Sequence, residues 1–127
     1  MIEQHPDIGG FYLTSPSFEG LLVDYSEVKA ACGDRYLMID EAHGAFCYYT
    51  DRMRTGALLN NADASSISVH KTMGGISGTA MLNINKDSSL AVSKVKTAYY
   101  FLNTTTSSPL LMSHVDSCLI ENGNNNL

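Results

Sequence analysis

Short apolar runs, separated by glycine, proline and polar clusters, set the rhythm of this chain. Residues 1 to 10, with Pro6 and Gly9-Gly10, read as a loop. Phe11-Tyr12-Leu13-Thr14 predicts a strand, broken by the turn residues Ser15-Pro16-Ser17 and Gly20. Leu21-Leu22-Val23 is apolar, and Asp24 or Ser26 is placed to cap a helix from about Glu27 to Cys32 that stops at Gly33. Tyr36 to Ile39 is apolar throughout, which predicts a strand buried on both faces, as in parallel sheets. Gly44 to Arg54 is mixed, with Phe46, Tyr48 and Tyr49 alternating weakly, and Thr55 to Asn60 predicts a short helix closed by Asn60-Asn61. Ala64 to Val69 is a third strand and Thr79 to Ile84 a fourth, with Gly74, Gly75 and Gly78 leaving the backbone free to turn between them. Asp87 or Ser88 is placed to cap a helix from about Ser89 to Leu102, with Leu90, Val92, Val95, Ala98, Tyr99 and Leu102 near one side. After the polar link Thr104 to Ser108, Pro109 opens a last helix to about Ile120.

The alternation of strands and helices predicts an α/β layered domain with a mostly parallel sheet. One domain, residues 1 to 121, is expected, followed by an asparagine-rich disordered tail from Asn122 to Leu127. The length of 127 residues suits one domain, and 44% hydrophobic with 17% charged residues is enough to build a core. The net charge of −5 and the absence of a basic run do not favour a nucleic-acid surface. No apolar run approaches the ~20 residues of a membrane helix. Met1 to Pro6 has neither a basic n-region nor an apolar h-region, so no secretory signal is expected and the location is read as cytoplasmic. Cys32, Cys47 and Cys118 are odd in number and lack C-x-x-C spacing, and read as reduced, partly buried thiols.

In sheets of this kind ligands bind at the carboxyl ends of strands. Asp40 and His70-Lys71 both fall at such ends, which predicts an acid and a lysine of opposite charge held close together. A lysine in such a pocket can attack an aldehyde, and a carboxylate beside it can keep a pyridinium nitrogen protonated. That is the protein side of pyridoxal phosphate chemistry, in which the cofactor takes up the electron pair. Ser68 and His70 flank the lysine and can donate hydrogen bonds to a phosphate, and Gly74-Gly75 would let the backbone approach closely.

At these residues the chain resembles a family. Asp40-Glu41-Ala42-His43-Gly44-Ala45, then Ala62-Asp63, then Ser66-x-Ser68-x-His70-Lys71, is similar to the major domain of the ornithine/lysine/arginine decarboxylases. Leu13 to Gly20 resembles that family's Thr-x-Pro-Thr-Tyr-x-Gly loop, with Ser17 and Phe18 as near substitutions. The likeness runs from about residue 11 to residue 85. It implies a partial three-layer α/β/α large domain of the aspartate aminotransferase-like, fold type I transferases. It implies pyridoxal 5'-phosphate as cofactor, an amino acid as substrate, and a homodimer in the full-length form. By the resemblance Lys71 is the Schiff-base lysine, Asp40 pairs with the pyridine nitrogen, and Ala42 packs on the cofactor ring. His43 lies near the phenolic oxygen, with Ser68 and His70 near the phosphate. The implied reaction is decarboxylation of lysine, arginine or ornithine to its amine.

Two departures accompany the likeness. The family's glutamine after the lysine falls at Gly78, and the chain is short for the family, which reads as a fragment inactive alone. Other readings stay open: an aminotransferase or α-oxoamine synthase, which can also carry Asp-Glu-Ala-His, or a non-catalytic remnant. A helicase acid box at Asp40 would need an upstream phosphate-cradling G-x-x-x-x-G-K-[ST] loop, and none precedes it. A metal site from His43, Cys47, His70 and His114 lacks the usual ligand spacing, so no metal is expected. Asn103-Thr104-Thr105 is a formal glycosylation sequon that, without a secretion signal, is read as chance.

Overall fold

The computed structural model describes residues 5–50, 55–103 and 106–124. Four strands form one sheet in the order β1 (Gly10–Thr14), β2 (Tyr36–Glu41), β3 (Ala64–Ser68), β4 (Ala80–Ile84). β1, β2 and β3 run parallel, and β4 runs antiparallel to β3. The sheet is thus mixed and mostly parallel. The helices are α1 (Tyr25–Cys32), α2 (Val69–Thr72), α3 (Val92–Leu102) and α4 (Pro109–Asn124), with 3-10 turns at Ala45–Tyr48 and Ala57–Asn60.

Local chemistry explains most of these boundaries. Asp24 caps α1, its side chain accepting from the Glu27 N–H at 3.0 Å, and Gly33 ends it at φ +62. Register then sorts the side chains of the sheet. Leu13, Ile39 and Ser65 are partners, as are Thr14, Asp40 and Ser66, so each set points to one face. The first face is covered: Leu37, Ile39 and Ala62 pack with Tyr25, Cys32 and Ala57. Ile67 packs with Ala45, Val69, Met73 and Cys118, so α4 closes this face near β3. The second face carries Tyr12, Met38, Asp40 and Leu82, and stays largely open, with Tyr12 61% and Leu82 50% exposed.

Several expectations change here. β2 is not buried on both faces: Leu37, Ile39 and Glu41 are buried, while Tyr36, Met38 and Asp40 are only half-buried. Val69 leaves β3 to begin the helical turn α2. α3 starts at Val92, not near Ser89, because the Ser88 hydroxyl is engaged elsewhere, donating to Asp63 and accepting from the Leu90 N–H. None of the residues of α3 is buried, so its apolar side is not a core face among the described residues. α4 continues through Asn122 to Asn124, where a disordered tail was expected. Residues 51–54 of the mixed segment, 104–105 of the polar link and sequon, 1–4 and 125–127 lie outside the described residues. All three cysteines are free and buried.

Candidate active site

Because β1, β2 and β3 are parallel, their carboxyl ends lie on one edge of the sheet, and three segments meet there: Ser15 to Gly20, Asp40 to Gly44, and Ser68 to Lys71. The loop after β1 is tied to the end of β2 by the Ser15 N–H, which donates to the Asp40 carbonyl at 3.0 Å. The turn after β2 closes on a 2.7 Å bond from the Gly44 N–H to the Glu41 carbonyl. A side chain at Gly44 would place its Cβ 2.7 Å from Pro16 Cδ, so only glycine lets these two loops approach this closely.

Asp40 sits on the open face of the sheet, half-buried between Thr14 and Ser66. One of its oxygens, Oδ1, accepts from the Ala42 N–H at 2.9 Å, which fixes the carboxylate and the turn that carries Ala42 and His43. Lys71 is exposed on α2, and its Nζ lies 3.3 Å from His43 Nε2. An ammonium there is donor only, so Nε2 accepts and the ring proton resides on Nδ1. The acid and the lysine thus share one strand-end edge, but they form no ion pair with each other. The ion pair found among the described residues is Lys29–Asp63, and the neighbour of Lys71 is His43.

His70 Nδ1 is 2.9 Å from the Thr79 carbonyl, which leaves Nε2 as its outward nitrogen. Ser68 occupies the N-cap position of α2 without making a side-chain cap bond. Gly75 does not make room for a ligand: a Cβ there would lie 2.5 Å from Thr79 Oγ1 and 2.8 Å from Val69 Cγ1, so its closeness serves the chain itself. Gly78 has φ +90, a backbone that glutamine adopts only with strain. The turn before β4 is therefore shaped around glycine.

Behind the site lies a network that the sequence does not advertise. Glu41, next to Asp40 but on the opposite face, is fully buried. Tyr48 donates its hydroxyl to Glu41 Oε2, and the Ala57 N–H donates to Oε1 at 2.8 Å. Burial pushes the Glu41 carboxyl above its ordinary 4.5, against the lowering effect of these donors. The Tyr48 hydroxyl is raised by burial and by its bond to Glu41. Tyr25 donates to the Ser15 carbonyl at 3.0 Å, and burial pushes its hydroxyl up to about 12. The signal that reveals Glu41 is the period of two in β2: it falls in step with Leu37 and Ile39.

Asp63 plays the corresponding part at the far end of the sheet. It accepts from Lys29 Nζ at 2.6 Å, Ser88 at 2.6 Å and the Leu37 N–H at 2.8 Å. Burial opposes its ionisation, but the three donors outweigh that and hold the carboxyl below its ordinary 3.8. His43, Cys47, His70 and His114 are not gathered: among the described residues no group of three or more His, Cys, Asp or Glu is arranged to hold a metal ion. Among them, no helix is long and apolar enough to cross a membrane.

The chain is similar in sequence to known proteins. A family model described as "Orn/Lys/Arg decarboxylase, major domain" matches residues 1–124. The chain is 27% identical over 118 residues to an arginine decarboxylase of Halalkalibacterium halodurans, covering 91% of this chain and 24% of that protein. It is 29% identical over 117 residues to an arginine decarboxylase of Bacillus cereus, covering 91% of this chain and 25% of the relative. An uncharacterized protein, YaaO, of Bacillus subtilis is 31% identical over 110 residues, 85% of this chain and 22% of that protein. The chain thus spans about a quarter of the length of the curated relatives it matches.

Proposed function

The chain belongs to the Orn/Lys/Arg decarboxylase family, whose major domain it matches over residues 1–124, and on that premise we propose that it carries the lysine half of a pyridoxal-phosphate decarboxylation site. The reaction is loss of the α-carboxylate of a basic amino acid, and the names of the relatives favour arginine. The observation that carries the reading is the meeting of Lys71 and His43 at 3.3 Å on the edge that also holds Asp40.

The donor set fits the cofactor. A primary amine, a carboxylate fixed by a backbone N–H, an imidazole and a serine lie on adjacent turns at one sheet edge. Lys71 would hold the cofactor, Asp40 its ring nitrogen, and Ser68 with the outer nitrogen of His70 its phosphate. Pyridoxal phosphate supplies, when bound, an electron sink for the pair left by carbon dioxide. The remaining work belongs to side chains of this chain. His43 Nε2 lies 3.3 Å from Lys71 Nζ and would orient the amine at the strand-end edge. Asp40, on the open face of the sheet, would stabilise a protonated ring nitrogen. Ala42 would pack on the cofactor ring.

The same reading covers the rest of the protein. The four strands are the central part of a three-layer fold type I large domain, in a cytoplasmic enzyme that is a homodimer at full length. The chain spans about a quarter of the length of its relatives. The test is spectroscopic. Pyridoxal phosphate added to the protein should give a visible band that Lys71→Ala abolishes and Asp40→Ala weakens. A band that survives Lys71→Ala contradicts the assignment, and no band with the parent chain makes it a remnant without cofactor.

A further inference from the structure

Among the segments at the site edge, the loop after β1 carries a residue with no part in the reading above. Phe18 is 84% exposed, an unusual place for a phenylalanine. Its ring lies perpendicular to that of His43, with centroids 5.7 Å apart. That edge-on arrangement is the favourable one for two aromatic rings.

The loop is built to present this ring. The Ser17 N–H donates to the Leu21 carbonyl at 2.9 Å, and the Gly20 N–H to the Ser17 carbonyl at 3.0 Å. The Leu21 N–H donates back to the Ser17 hydroxyl at 3.3 Å, and Gly20 takes φ +86 to close the turn. Ser15 is anchored below by the Tyr25 hydroxyl and by the Val23 N–H. The loop also grips the backbone on both sides of His43. Ser15 bonds the Asp40 carbonyl, and Pro16 lies against Gly44. An apolar side chain held out in solvent by this many bonds is not there for core packing. The contact identified for it is with the imidazole that faces Lys71.

We propose that Phe18 is a positioning residue for the lysine site, its ring holding the His43 imidazole with Nε2 turned toward Lys71. The contact itself is independent of the cofactor; its consequence for Lys71 rests on the proposed function. Without Phe18 the half-buried imidazole is free to swing to water, and Lys71 loses the neighbour that orients its Nζ. Tyrosine at this position keeps the ring and the contact, so Phe18→Tyr should be silent, while leucine keeps apolar bulk without a ring edge.

Nuclear Overhauser spectra of the full chain read the geometry directly. The parent and Phe18→Tyr should show a cross-peak between the His43 ring and the Lys71 ε-methylene, and Phe18→Ala and Phe18→Leu should lose it with amide dispersion unchanged. In parallel, borohydride trapping of pyridoxal phosphate on Lys71 should slow about fivefold in the alanine and leucine variants, what the loss of an aromatic pair contact is worth, and recover with tyrosine. The proposal is overturned if the cross-peak persists in Phe18→Ala or is absent from the parent. If the cross-peaks behave as stated but Lys71 is never labelled in the parent, the positioning holds and the cofactor reading fails.

Discussion

Neighbouring carboxylates on β2 have opposite surroundings. Asp40 faces the open side of the sheet and Glu41 the core, an outcome of the two-residue period of a strand. The sequence displays both acids, but an eye drawn to the strand end assigns a role only to the first. Glu41 has a clear signature in pH. Its folded carboxyl titrates above the ordinary 4.5 because it is buried. Well below that value both states are protonated and nothing is lost. As pH rises from 4.5 to the folded value, the unfolded chain ionises first, so stability falls and then levels off. Urea titrations across this range should show the decline in the parent, and Glu41→Gln should flatten it. An equal slope in both would locate the proton elsewhere. Gly78 gives a second test at this scale. At φ +90 and with open space around its Cβ, a substitution costs backbone strain and not a clash. Gly78→Gln should therefore lower stability by about 1–2 kcal/mol, measurable by thermal unfolding. No difference would mean the turn relaxes to another conformation.

Elements were legible from the sequence where caps and turns mark them, and illegible where a side chain is shared. α1 is announced by Asp24 and Gly33, and both act as expected. α3 is announced by Asp87 and Ser88, yet begins later because Ser88 serves Asp63. That serine is part of a clasp: Asp63, just ahead of β3, binds α1 through Lys29, β2 through the Leu37 N–H, and the segment after β4 through Ser88. Asp63→Ala should cost about 2 kcal/mol, the low end for a buried charged network, because Lys29 is partly exposed and can turn to water. Asp63 titrates below its ordinary 3.8, so its contribution is present above that pH and lost as pH falls through the folded value. Taken with Glu41, these two groups contribute most between the ordinary values of 3.8 and 4.5. Denaturant midpoints measured from pH 3 to 7 would miss that maximum only if other carboxylates dominate.

At the scale of the whole molecule, the alternation of elements was sufficient to read an α/β domain with a mostly parallel sheet. The antiparallel fourth strand was not legible, because pairing direction leaves no mark on a five-residue apolar run. Nor was the asymmetry of the sheet. One face is sealed by α1, α4 and the 3-10 turns, and the other, which bears Asp40, is half open. That openness matches a chain spanning about a quarter of its relatives. The central claim concerns Lys71, and the five lysines of the sequence make it directly testable. Pyridoxal phosphate is added to the protein, reduced with borohydride, and the labelled peptides are mapped. The account predicts label concentrated on Lys71, with Lys29 held in its ion pair and Lys86, Lys94 and Lys96 reacting only slowly as ordinary surface amines. Label spread evenly over the lysines, or none on Lys71, would contradict it.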